Sequence, residues 1–178
     1  HQQFELFKQS YAFMPKNAAQ YKGYNSDNEQ LKNKPDFSNF IWNGANITPQ
    51  LKCSTLETLV SQLAQTPKDL LLNVCLGEYF RSAQGYSLQQ LSYSEQQTSS
   101  FDGKVFIRGQ IYQDLIKSPS KGDLQAYALY RAIQCYAPSG INDCGGNEVS
   151  KTIRKQWFDQ MKRDYPNTSW AKSLKYYW

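Results

Sequence analysis

The chain has 178 residues, 40% of them hydrophobic and 20% charged, with a net charge of +5 and 13 Tyr, 9 Phe and 4 Trp. That length suits one core, or two small lobes sharing one, and excludes two full-sized domains. Abundant Gln, Asn and Ser favour exposed loops and polar helix faces over buried sheet, the aromatic rings can fill much of a core, and no apolar run approaches the roughly 20 residues of a membrane-spanning helix.

Phe4, Phe7, Tyr11 and Met14 recur at helical spacing, so Phe4 to Met14 reads as an amphipathic helix that Pro15 ends. From Lys16 to Pro49 the periodicity dissolves into Asn, Lys, Gly, Ser and Asp around isolated Tyr21, Tyr24, Phe37, Phe40 and Trp42. Disordered segments are poor in aromatics, which favours a loop wrapped over the surface with its rings as anchors. Loops carry function more often than scaffold elements do, so Tyr24 and Trp42 are expected to touch a partner.

Ser54 to Ala64 is the clearest helix: Leu56, Leu59, Val60 and Leu63 share one face, and Ser54 with Glu57 forms a capping box. Thr66, Pro67 and Asp69 supply a cap, a first-position proline and an early acid for the next helix, whose buried stripe is Leu72, Cys75, Leu76 and Tyr79. The pair makes a helical hairpin. Gly85 to Lys104 reads as loop, and Arg108 to Lys117 as a helix through Ile111, Leu115 and Ile116, stopped by Ser118-Pro119. Leu124 to Tyr136 follows, with Ala128 and Ala132 small enough for a neighbouring helix to approach closely. Asn142 to Asn147 is a turn, and Ser150 to Asp164 a helix with Ile153, Trp157 and Met161 on one stripe. Tyr165-Pro166 breaks it, and Trp170, Ala171, Leu174, Tyr177 and Trp178 are spaced for a last helix that packs through its rings.

Cys53, Cys75, Cys135 and Cys144 form two local pairs with no Cys-x-x-Cys, and the lone histidine, His1, makes a zinc site improbable. The hairpin turning near Gln65 and Thr66 brings Cys53 beside Cys75. The Ala-Pro-Ser-Gly-Ile-Asn-Asp turn returns Cys144 to Cys135, a closure worth roughly 3 kcal/mol on the chain-entropy view. Bonded pairs imply a periplasmic or secreted protein, and a chain opening at His1 reads as processed or cut from a longer one.

Two stretches resemble tetratricopeptide-type helical repeats. Thr66-Pro67-Lys68-Asp69 followed by Leu76-Gly77 and Phe80 is similar to the repeat's entry proline and Leu-Gly-x-x-Tyr stripe, with Asn73 where Trp or Leu is usual. Trp157-Phe158 through Tyr165-Pro166-Asn167-Thr168-Ser169-Trp170-Ala171 resembles the helix, Tyr-Pro, helix joint of periplasmic repeat proteins, including lipoproteins that assist outer-membrane assembly. The resemblance spans about a third of the chain and implies a protein-binding scaffold in a bacterial envelope.

Catalytic material is sparse. No phosphate-binding, dinucleotide-binding or Gly-x-Ser-x-Gly motif occurs, and one terminal histidine cannot furnish an internal Ser-His or Cys-His pair. Glu57, Glu78 and Glu148 are the acids available to a carboxylate-driven glycan hydrolase, yet each has a structural explanation: a cap, a polar face and a helix entry. Lys151, Arg154, Lys155, Lys162, Arg163, Lys172 and Lys175 make the C-terminal stretch basic, which suits solvated helix faces, and no nucleic-acid motif accompanies it.

The sequence thus predicts an all-α fold of short antiparallel, repeat-like hairpins with two long loops and two local disulfides: a single helical domain over 1–178. Its parts are a helix and wrapping loop (1–50), a hairpin (51–84), a loop (85–106) and a C-terminal helical subdomain (107–178). The expected function is non-catalytic binding of a protein in the envelope or extracellular space, without cofactor or metal, through Tyr24, Trp42, Tyr79 and Arg154. A cell-wall glycan hydrolase or glycan-binding protein is the alternative.

Overall fold

Phe4, Phe7 and Tyr11 line the partly buried face of helix α1 (Gln2–Ala12), and Met14, the last residue of the expected stripe, lies outside the described residues. The computed structural model describes residues 2–12, 40–82, 106–119, 121–135 and 142–177. The chain divides into two compact units, His1–Lys104 and Val105–Trp178. The wrap expected over Lys16 to Pro49 lies outside the described residues up to position 39, and so does the loop expected over Gly85 to Lys104.

In the first unit α1 packs on helix α2 (Leu56–Gln65), and α2 on helix α3 (Leu70–Arg81). The Phe7 ring lies 6.1 Å from Phe40, edge on, while the Tyr11 hydroxyl donates to the Phe40 carbonyl at 2.6 Å. Against the expectation from composition, a small antiparallel ladder is present: β1 (Ala45–Asn46) pairs with β2 (Lys52–Cys53). Its turn is closed by Thr48 Oγ1, which accepts from the Gln50 and Leu51 amides. Gly44 enters the ladder at φ +85°, and a Cβ there would sit 2.0 Å from the Cys53 carbonyl oxygen, so both backbone conformation and space require glycine.

The α2 stripe of Leu56, Leu59, Val60 and Leu63 is buried as its spacing predicts. The cap is shifted by one residue. Thr55, not Ser54, accepts from the Thr58 amide, because β2 runs to Cys53 and Ser54 is taken up leaving the strand. Glu57 is therefore an exposed first-turn acid and no partner in a capping box. The start of α3 is likewise later than predicted: Thr66 closes α2 through its N–H to the Gln62 carbonyl, Pro67 lies in the turn, and Asp69 caps Leu72 at 2.9 Å. The reason is Asn73, a buried amide whose Nδ2 donates to the carbonyls of Pro67 at 2.9 Å and Asp69 at 2.7 Å. Residues Asn73 to Tyr79 are buried on every side, a wider burial than one stripe. Cys53 joins Cys75 with Cα atoms 5.3 Å apart, tying the ladder to α3.

In the second unit helix α4 (Arg108–Lys117) has the predicted bounds, but its buried face is Arg108, Gly109, Tyr112 and Leu115, so Tyr112 takes the place given to Ile111 and Ile116. Helix α5 (Asp123–Gln134) is the hub, in contact with α4, helix α6 (Lys151–Asp164) and helix α7 (Ser169–Ser173). Buried Ala126, Ala128 and Ala132 admit these neighbours closely, and Leu129 and Ile133 fill between them. Gln125 of α5 is buried: its Nε2 donates to the carbonyls of Leu115 (3.1 Å), Ile116 (3.2 Å) and Ser118 (2.9 Å), and its Oε1 accepts from the Tyr165 hydroxyl. One side chain thus closes the end of α4 and clasps the end of α6.

Ser150 caps α6, which buries Trp157 and Met161, whereas Ile153, expected on the same stripe, is 41% exposed. Thr168 caps α7, which stops at Ser173 instead of continuing through Tyr177. The Lys162 ammonium donates to the carbonyls of Ala171 and Leu174, satisfying the groups that further turns would have used. Trp170 packs 5.3 Å from Tyr127 and Phe158 5.7 Å from Tyr177, as expected for docking through rings. Cys135 joins Cys144, again with Cα atoms 5.3 Å apart. The described chain is mostly helical, and none of its helices is long and apolar enough to cross a membrane.

Replacing either buried amide by an apolar residue of similar size leaves part-buried carbonyls without their donor. Asn73→Leu and Gln125→Met are each expected to destabilise the fold by about 2–3 kcal/mol, seen as a lower urea midpoint with an unchanged slope. A change below about 0.5 kcal/mol in both would show that these amides are dispensable.

Candidate functional site

The Cys135–Cys144 bond delivers the chain to a loop that runs along α4 before α6 begins. Gly145 and Gly146 take φ values of +71° and +76°, and the missing Cβ of Gly146 lets Ile107 Cγ2 lie 3.0 Å from where that atom would be. Asn142 holds this double glycine from beneath. Its Nδ2 donates to both glycine carbonyls at 3.2 Å while its Oδ1 accepts from the Cys144 amide at 3.1 Å. The Gly109 amide donates to the Cys144 carbonyl at 3.2 Å, so loop and helix are joined at the backbone.

These connections leave a groove of about 290 Å³ lined by Ile107, Gln110 and Gln113, residues 145–149 and Ile153. Ile107 is 37% exposed and Ile153 41%, unusual for large aliphatic side chains with a core nearby. Gln110 donates to Asp114 at 2.8 Å. Gln113 and Glu148 form no hydrogen bond or ion pair with the described residues, so an amide and a carboxylate stand available between two aliphatic walls. Beneath the loop Arg108 is buried, its Nη2 donating to the Asp143 carbonyl and lying 3.8 Å from the Asp143 carboxylate. Its Nε and Nη1 meet no acceptor, a local conflict that the loop's position imposes.

The residues expected on a binding surface fall elsewhere. Tyr24 lies outside the described residues. Trp42 is only 7% exposed and Tyr79 fully buried, their rings packed edge to face at 5.8 Å, so both belong to the core of the first unit. The cause is the tie between Trp42 and α2: its carbonyl accepts from the Leu56 amide at 3.0 Å, which turns the ring inward. Arg154 is half-buried, with Nη1 3.5 Å from the Tyr177 carbonyl, and holds the C-terminal segment.

Among the acids, Glu57 faces solvent on α2, Glu78 is buried and ion-paired to Arg81 at 2.7 Å, and Glu148 stands in the groove. Much of the basic stretch is committed internally: Lys155 to Asp159 at 2.6 Å, Arg163 to Asp164 at 2.7 Å, and Lys162 to helix-end carbonyls. Cys135, Asp143 and Cys144 bring three ligand-type atoms within 4.8 Å, but both sulfurs are in the disulfide and a bonded sulfur is no thiolate ligand. The sequence reading placed a turn at Asn142 to Asn147 but gave no sign of the walls, because Ile153 looked like core. The signal that was there is the Gly-Gly-Asn-Glu run directly after a disulfide-bonded cysteine.

No protein-family model, curated protein or solved structure matches the chain.

Burial pushes the Tyr79 phenol well above its ordinary value, and burial first, then the neighbouring Tyr79 and Glu57 charges, does the same for Tyr11. Both phenols must stay protonated in the folded chain. Their contribution to stability is complete below about pH 10, where a free tyrosine titrates, and is lost as pH rises from there toward the folded values. Alkaline titration followed by tyrosinate absorbance should therefore show two tyrosines that ionise only together with loss of tertiary signal. Ionisation of every tyrosine near pH 10 with the fold intact would remove this assignment.

Proposed function

We propose that the chain is a non-catalytic, protein-binding scaffold of the bacterial envelope or extracellular space, and that it binds through the groove between α4, residues 145–149 and Ile153. The observation that carries this reading is the pair of exposed isoleucines flanking the uncommitted Gln113 and Glu148. Apolar walls around a few convergent polar groups are the usual make-up of a recognition site. Two buried disulfides suit an oxidising compartment, which is where such bonds persist. The resemblance to tetratricopeptide-type hairpins points the same way, since those repeats bind proteins.

Glycan cleavage has weaker support. A hydrolase needs two carboxylates facing one bond, and Glu148 is the one acid lining the groove, while Glu78 is committed to Arg81. No aromatic ring lines the groove either, so it lacks the stacking platform that sugar rings favour.

A photo-crosslinking amino acid placed at Gln113, expressed in the exported chain, should yield a discrete adduct with another protein. The same group at exposed Gln65 of α2 should not, and Ile153→Glu should abolish the Gln113 adduct. Equal adducts at both positions, or none at Gln113, would overturn the reading. Sugar release from cell-wall material that disappears in Glu148→Gln would replace it with the hydrolase.

A further inference from the structure

Resting on the groove as the binding site, we infer that its occupant is an extended polypeptide segment that sets an aliphatic side chain between Ile107 and Ile153 and a lysine or arginine against Glu148. An extended segment leaves its peptide groups open to partners, whereas a helix spends them internally. Gln113 answers that need, because a carboxamide can donate to a carbonyl and accept from an N–H at once.

Charge sets the second feature. Glu148 is the one ionised side chain lining the groove, exposed and without a partner among the described residues. The chain's net charge of +5 opposes a cationic segment at long range. Screening over about 8 Å at physiological ionic strength confines that contest to the nearest groups. Of these, Arg154 is half-buried and turned to the Tyr177 carbonyl, and Lys155 is paired with Asp159. A solvent-exposed ion pair changes affinity by up to about fivefold, so the lysine selects among segments while the isoleucines and Gln113 hold them.

The test uses the full chain, labelled with nitrogen-15 and titrated with capped hexapeptides Gly-Ser-Ile-X-Ser-Gly in which X is Lys, Gln or Glu. The lysine peptide should move the amide signals of Gly145, Gly146 and Ile153 and bind about fivefold tighter than the glutamate peptide. Glu148→Lys should reverse that order, and Ile153→Asp should remove all three titrations. Equal binding of the three peptides, or an order unmoved by Glu148→Lys, overturns the inference. So does spermidine alone reproducing the shifts, which would make the groove a simple cation site. If the Gln113 photo-adduct persists without a lysine preference, this inference falls and the scaffold reading stands; if adduct and titrations are both missing, both fall.

Discussion

Short helices leave a large share of their backbone groups without an intrahelical partner, four N–H and four C=O at each pair of ends, and this fold is organised around satisfying them. A helix of ten residues such as α4 has almost as many unpaired groups as paired ones. The side chains that answer are buried polar ones. Asn73 takes two carbonyls at the turn into α3, Gln125 takes three at the end of α4, and Lys162 takes two at the end of α7. Side-chain caps at Thr55, Asp69, Ser150 and Thr168 serve the helix starts, joined by the Trp42 carbonyl under α2 and the Cys144 carbonyl under α4. Apolar burial drives the helices together, but these donors decide where each one stops and hence which faces meet.

The disulfides belong to the same scheme. Cys53–Cys75 fixes the ladder whose preceding loop supplies Trp42 to cap α2, and Cys135–Cys144 fixes the loop whose Cys144 carbonyl caps α4. In each unit a crosslink holds a loop carbonyl against a helix start that has no strong side-chain cap of its own: Thr55 reaches the Thr58 amide only at 3.4 Å, and Ile107 makes no cap bond. The groove is a consequence. With the Cys144 segment held against Gly109, residues 145–149 run past α4 instead of folding over it, and Ile107 and Ile153 stay uncovered. The path requires glycine at 145 and 146 and leaves Arg108 under-satisfied among the described residues, and such local conflicts collect where a surface is kept open for binding.

Local signals in the sequence were readable where local physics decides. The bounds of α4, the extent of α6, the Leu56 to Leu63 stripe and both disulfide pairings follow from spacing and turn residues alone. What failed was whatever depends on a distant partner. Asn73 and Gln125 look like surface amides until the carbonyls they serve are in place, and Trp42 looks like a loop ring until the Leu56 amide turns it inward. Ile153 fits a buried stripe, yet it is 41% exposed at the first turn of α6. The candidate site was least legible of all, because its walls come from the approach to α4 and the start of α6 and its floor from the loop between two cysteine-defined points. Composition likewise missed the ladder, since a two-residue strand pair beside Gly44 is set by one turn and one crosslink and not by strand propensity.

Net charge is the clearest case of a sequence property that changes meaning in the fold. The basic residues of the C-terminal stretch would make a cationic face if all were free, yet Lys162 and Arg154 are turned to backbone carbonyls and Lys155 and Arg163 to adjacent acids. Carbonyls at a helix end carry partial negative charge, so a lysine there is stabilised as a cation without any acid nearby. Lys162 is thus a positive charge that closes a helix end. Glu57 and Glu148 are both exposed acids without an ion pair among the described residues, and Glu148 is the one that lines a groove with two exposed isoleucines.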